Sequence, residues 1–328
     1  MEPKHRRAKW YGAAFAVMII LMFFSVPVLQ GVPLQDIPQY FANLVNSAAP
    51  ANTENTNSGV LSEGEAAIYF LDVGQADCTA VLLPNGKTMV IDAGNNADGP
   101  LVCETLRSLG IEQIDFLIAT HPHEDHIGGM DDVIRAFSIK EFYMPRVSDS
   151  QIPTTKTYES LLSAASEAGL KAKQAKAGVV LLDEAGIRIT LLGPVAEQYG
   201  DLNSYSAVVR LQVGNKSFLF MGDAESDAEE DILYQSAMIK SDVLKIGHHG
   251  SSTSTGTAFL QTVSPETVVI SCGRDNDYGH PHQETLDKLT ELNAAILRTD
   301  QDKTIAAFCD GNTVRFQSGL PSCDGNSP

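Results

Sequence analysis

Apolar residues fall along this chain in three regimes. From residue 10 to residue 29 the sequence reads WYGAAFAVMIILMFFSVPVL without a charge, and about 20 such residues are what a helix needs to cross a bilayer. From 46 to 64, Asn, Thr, Ser, Ala, Pro and Gly dominate with almost no large apolar side chains, the composition of a flexible tether. After it, short apolar runs spaced by turn residues announce a folded domain. AAIYFLDV, CTAVLLP and KTMVIDAG follow one another closely, with Pro84-Asn85-Gly86 between the second and third, which predicts three antiparallel strands forming a sheet edge.

Beyond Gly94 the period changes. A helix is expected over 100–109, a strand over 115–119, a helix from Gly128 and a strand over 141–144. The second half repeats the mixture: strands over 187–192, 207–213 and 217–221, a helix over 225–235, a strand over 242–246, then helix–strand pairs to about residue 316. Two mixed halves predict an α/β (α+β) fold built as a four-layer αββα sandwich. No short-period repeat is present, so a solenoid is excluded. The expected organisation is a basic tail (1–9), an apolar segment (10–30), a linker (31–64), the folded domain (65–320) and a tail (321–328).

Composition agrees with one large core: 43% of the 328 residues are hydrophobic and 20% charged, a globular rather than a disordered profile. Charge adds two things. Lys4, Arg6, Arg7 and Lys9 precede the apolar segment and Asp36 is the first charge after it, so the positive-inside rule places the N-terminus in the cytoplasm and the domain outside the membrane. A cleaved signal peptide with a secreted domain is the alternative. The net charge is −18, and beyond the basic tail 19 Lys and Arg face 40 Asp and Glu, a net −21. Such a surface repels polyanions, so a nucleic-acid or phosphate substrate needs compensation by metal ions or a few placed cations. The five cysteines show no zinc-finger spacing. Cys309 and Cys323 bracket a hairpin-like stretch and are the pair that could join outside a cell.

Candidate chemistry is concentrated in the histidines. Apart from His5, they lie in three short clusters. The first, Thr120-His121-Pro122-His123-Glu124-Asp125-His126, follows the apolar strand DFLIA and precedes Ile127-Gly128-Gly129. In an extended segment residues two apart point the same way, so His121 and His123 can share one ion, while Asp125 and His126, where the chain turns into a helix, face a second. Imidazole with carboxylate is a ligand set for zinc, manganese or iron. No GxSxG elbow, P-loop or dinucleotide fingerprint accompanies it, so no nucleotide cofactor is expected.

HxHxDH followed by Gly-Gly resembles the signature of the metallo-β-lactamase superfamily. That resemblance implies a bridging carboxylate and a late histidine, and the chain offers Asp223 after FLFMG and His248, or its neighbour His249, after LKIG. Within the superfamily the likeness is to the extracellular hydrolase domain of the ComEC competence proteins, which take part in DNA uptake. Phe70-Leu71-Asp72-Val73-Gly74-Gln75-Ala76-Asp77-Cys78, Asn203-Ser204-Tyr205-Ser206, His248-His249-Gly250-Ser251 and Tyr278-Gly279-His280-Pro281 carry it. It covers roughly residues 65–316 and not the multi-helix channel of those proteins, so transport through this chain alone is not expected.

What the resemblance implies is hydrolysis of a phosphodiester, foremost DNA, by a metal-activated hydroxide at two divalent ions, zinc or manganese. Hydrolysis of a smaller phosphoester or acyl ester, or a catalytically silent envelope binding module, are the other readings. Lys245 or His249 would offset phosphate charge and His280 would donate a hydrogen bond or proton near the leaving group. Asp92 would orient a ligand histidine, and Ser251 would lend a hydroxyl or N–H to an anion. His282 reads as a structural loop histidine. One departure stands out: no histidine lies between His126 and His248, where the family usually has one. The first ion would then rest on His121, His123 and Asp223, with Asn203 or water filling in.

Overall fold

The computed structural model describes residues 64–235 and 238–320. The apolar segment, most of the tether, Cys323 and the final tail lie outside the described residues. Among the described residues no helix is long and apolar enough to cross a membrane.

Two sheets make up the inner layers. The first runs β15-β14-β1-β2-β3-β4-β5-β6 and the second β13-β12-β11-β10-β9-β8-β7. In the first, β1 (Ala66–Phe70), β2 (Thr79–Leu82) and β3 (Thr88–Ile91) are antiparallel, then β4 (Gln113–Ile118), β5 (Ser138–Pro145) and β6 (Ala172–Ala175) continue parallel to β3. The expected edge is therefore interior: β14 (Thr304–Cys309) and β15 (Val314–Leu320) return from the far end of the chain to pair with β1. A distant segment closing an edge leaves no local signal.

In the second sheet, β7 (Val180–Glu184), β8 (Ile187–Leu191), β9 (Val209–Val213) and β10 (Lys216–Phe220) are antiparallel, whereas β11 (Val243–Lys245), β12 (Thr267–Ile270) and β13 (Ala295–Arg298) run parallel to β10. Helices α1 (Gly99–Ser108), α2 (Glu124–Ile127), α3 (Met130–Ala136) and α4 (Lys156–Glu167) belong to the first half. Helices α5 (Ser226–Gln235), α6 (Thr257–Val263), α7 (Gln283–Glu291) and α8 (Thr299–Asp302) belong to the second.

Three apolar layers show why the strands read as unbroken hydrophobic runs. Ala66, Ile68 and Phe70 of β1 join Phe218 and Phe220 of β10 between the sheets. Ala67 and Tyr69 face the other way, toward Val102 and Leu106 of α1, Val133 of α3 and Leu161 of α4. Leu219, between Phe218 and Phe220, likewise points outward to Ile232 of α5 and Phe259 of α6. Period-2 alternation with both faces buried gives the expected αββα order of layers. All four described cysteines are buried free thiols, Cys309 among them.

Candidate metal centre

The two sheets bring the carboxyl ends of their parallel strands to one place, where ligands commonly bind in α/β sheets. Asp92 follows β3, the His121–His126 loop follows β4, Asp223 follows β10 and His248-His249 follow β11. Two glycines permit this convergence. A Cβ on Gly128 would stand 2.2 Å from the backbone of Asn95 and Asn96, so the Gly-Gly after the histidines lets this segment lie flush against the loop beyond Asp92. Gly222 has φ +56°, and a Cβ there would come within 2.9 Å of Thr120, which holds Asp223 tightly against the histidine loop.

Asp125, His126, Asp223 and His249 each offer one ligand atom within 4.8 Å of all the others. His126 donates from Nδ1 to Asp92 Oδ2 at 2.8 Å, and Asp92 is locked in turn by the N–H and hydroxyl of Thr120 at 2.8 and 2.7 Å. His126 Nε2 therefore presents its free side to Asp223 Oδ1, 3.2 Å away. That approach lacks hydrogen-bond geometry, and both atoms are buried without a hydrogen-bond partner. Burial lowers the pKa of His126, yet Asp223, Asp92 and Asp125 outweigh it and raise the pKa well above the usual value. The surroundings thus call for a positive charge where Nε2 points, and a divalent ion meets that demand by replacing a proton.

His249 donates from Nδ1 to the Ser271 carbonyl at 2.9 Å, directing Nε2 at Asp125 Oδ2, 3.2 Å away. His249 rather than His248 thus completes this group, the reverse of the order expected from sequence. Both residues have positive φ, 49° and 52°, which turns two successive side chains toward the cluster in a way alternation along a strand does not anticipate. His248 Nε2 still lies 3.8 Å from Asp223 Oδ2, while its Nδ1 meets Glu225 at 3.1 Å.

His121 and His123 bring Nε2 and Nδ1 within 3.1 Å, compatible with two nitrogens each about 2.0–2.1 Å from one ion. Burial and the adjacent His126 push the His121 pKa well down, leaving it a neutral imidazole. Its Nε2 is 3.8 Å from Asp223 Oδ2. Asn203 is buried with Oδ1 unpartnered and Nδ2 donating to Glu225 at 3.2 Å, so it retains an oxygen to offer. Among the described residues no tight group of three or more ligands forms around His121 and His123.

Two expectations fail and a third narrows. Lys245 is buried and its ammonium lies 2.6 Å from Asp77 Oδ2, so it offers no charge to a substrate phosphate. Asp77, absent from the predicted site, sits beneath it, with Oδ1 3.6 Å from His249 Nδ1. Its sequence signal is its place in the Phe70–Cys78 phrase, as an acid just before β2. Ser251 has its N–H on the His248 carbonyl and its hydroxyl against Thr253, so its polar groups brace the loop. The role of His280 narrows. Burial with His249, His248 and His282 nearby pushes its pKa down to about 4, so it is neutral at physiological pH and carries no spare proton for an acid's part. Gly273 N–H fixes Gln75 Oε1 at 2.9 Å, and Gln75 Nε2 then donates to His280 Nδ1 at 3.3 Å, leaving the proton on Nε2. His282 Nδ1 accepts from Ser252 N–H at 2.9 Å.

Two predictions arise from these supports. Asp92→Asn is expected to weaken metal binding about 10- to 100-fold, read by competition with a fluorescent chelator; unchanged affinity would remove Asp92 from the account. Glu229 of α5 accepts N–H bonds from Thr255 and Gly256 at 2.6 and 2.8 Å, tying α5 to the segment after the His248-His249 loop. Burial raises its pKa to about 7, against the lowering effect of those two bonds. A raised carboxyl pKa means the folded state holds a proton that the unfolded chain has lost. Its contribution is complete below about 4.5 and disappears as pH rises through about 7, with a slope of at most about 1.4 kcal/mol per pH unit. Urea unfolding of Glu229→Gln across that window is expected to show the slope reduced, and an unchanged slope contradicts it.

Comparison with known proteins gives the family. A family model described as "Metallo-beta-lactamase superfamily" matches residues 71–274, and the chain belongs to that superfamily as a metal-dependent hydrolase. Its relatives include "ComE operon protein 3" of Bacillus subtilis (strain 168), 34% identical over 74% of this chain and 33% of that protein. "Recombination protein 2" of Haemophilus influenzae is 30% identical over 73% of this chain and 28% of that protein. The chain thus spans about a third of the length of the curated relatives it matches. Among solved structures, a metallo hydrolase from Ignicoccus hospitalis aligns with TM-score 0.44 and 14% identity over 73% of this chain and 98% of that one.

Proposed function

We propose that this chain is a phosphodiesterase that cleaves DNA on the outer side of a membrane, anchored by its N-terminal apolar segment. The observation that carries the metal-centred part is the orphaned pair His126 Nε2 and Asp223 Oδ1 inside a ring of ligand atoms. Asp125, His126, His249 and Asp223 would hold one ion, and His121 and His123 with the other oxygen of Asp223 a second. Two divalent ions, zinc or manganese, would supply a water ionised near neutral pH and a Lewis acid for the phosphoryl oxygens. His280, with its proton on Nε2, would hydrogen-bond the leaving group or a phosphate oxygen. The competence and recombination names of the relatives support DNA as substrate by analogy.

The net −18 charge favours a second reading, a smaller phosphoester or acyl ester that feels less repulsion. The test is turnover by the manganese- or zinc-loaded full-length chain of single- and double-stranded DNA, a model phosphodiester and an acyl ester, with Asp125→Ala as control. Metal-dependent DNA cleavage lost in the variant is expected. Turnover of the acyl ester alone would overturn the proposal.

A further inference from the structure

An acidic domain that acts on a polyanion gains from any affinity that does not depend on protein charge. Lys245, the cation the sequence sets beside the ligand loop, is taken up by Asp77. The lip of the site offers another means. Tyr278 is 69% exposed, and its ring lies nearly parallel to His280, at 22° with centroids 5.6 Å apart. His280 is in turn nearly parallel to the cluster residue His249, at 22° and 6.3 Å. Three rings therefore form a ladder from the surface down to the metal ligands.

The loop that carries the ladder is braced from several sides. Asn276 Oδ1 accepts from His280 N–H at 3.0 Å, and Asn276 Nδ2 donates to the His280 and Gly273 carbonyls at 2.6 and 2.9 Å. His282 N–H bonds the Gly250 carbonyl at 3.0 Å, and the His282 ring, held by Ser252, approaches the Tyr278 carbonyl at 3.2 Å. An exposed aromatic ring usually needs no explanation. This one rises from a braced loop, with one face on His280 and much of its surface open, two ring-to-ring steps from His249 of the cluster.

We infer that Tyr278 is a stacking platform for a nucleobase of single-stranded DNA, placing the adjacent phosphodiester over the metal centre. The inference rests on the phosphodiesterase reading and gives it a strand preference. Stacking is insensitive to base identity and to charge, and it requires an unpaired base, so it suits a domain that repels duplex backbone. Removing one stacked base lowers affinity about 5- to 150-fold.

The test is fluorescence anisotropy of the full-length chain, with and without manganese, against a short labelled oligothymidylate and the same backbone with abasic residues. Cleavage of the oligothymidylate is followed separately on gels. The wild-type chain is expected to prefer the base-bearing strand by about 5- to 150-fold, with shallow salt dependence and poor competition by duplex. Tyr278→Ala should bind both strands alike, and Tyr278→Trp should keep the preference. Equal binding of both strands by the wild type, retained preference in Tyr278→Ala, or no measurable binding of either strand overturns the platform. Preference without cleavage leaves the platform standing and sinks the phosphodiesterase, while cleavage without preference does the reverse.

Discussion

Asp223→Asn is expected to lower metal-dependent hydrolysis by about three orders of magnitude or more while leaving the fold intact. Asp223 turns its two oxygens to imidazole Nε2 atoms from both halves of the domain: Oδ1 lies 3.2 Å from His126 Nε2, and Oδ2 lies 3.8 Å from Nε2 of His121, His248 and His249. Burial works against its ionisation, but His126 and His249 prevail and hold its pKa well below the usual carboxylate range. The amide of asparagine keeps the volume and gives up the charge. Steady-state turnover with saturating manganese, beside a circular dichroism spectrum, checks this. A variant that kept a tenth of the activity would show that Asp223 does not bridge the ions.

Lys245→Met is expected to act on stability. Both members of the Lys245–Asp77 pair are nearly inaccessible, and removing one partner of a buried pair leaves an uncompensated charge at a cost of about 3–5 kcal/mol. The double variant Lys245→Met with Asp77→Leu should recover most of that loss, because paired charges can be replaced by apolar groups at little net cost. Urea unfolding of the three chains measures it. A single variant within about 1 kcal/mol of wild type would mean that water or another group compensates Asp77.

These two residues show what the sequence could and could not disclose. Asp223 was legible because it ends an apolar strand at a family's spacing. Asp125 and His126, which the fold brings together with Asp223 and His249, were legible because so many ligand types in so short a loop have few other uses. Lys245 misled because a basic residue beside a ligand histidine reads as solvent-facing, whereas a buried acid 168 positions earlier decides its direction. His249 was ranked behind His248 because the positive φ of both residues lies outside strand alternation. The antiparallel strands were recognisable from period-2 runs with a turn signal, but their interior position depended on β14 and β15 closing the sheet from the far end of the chain. Contacts between distant segments account for the direction of Lys245 and the interior position of the first strands, and local backbone geometry for the order of His248 and His249.

The central claim is that the His/Asp cluster holds metal. Elemental analysis of the full-length chain after loading with manganese or zinc and exhaustive dialysis tests it most directly, with Asp223→Asn and His249→Ala in parallel. Between one and two ions per wild-type chain, falling clearly in both variants, is the expected result. Clearly less than one ion per wild-type chain would contradict the account and favour a silent binding module that keeps the fold without the metal.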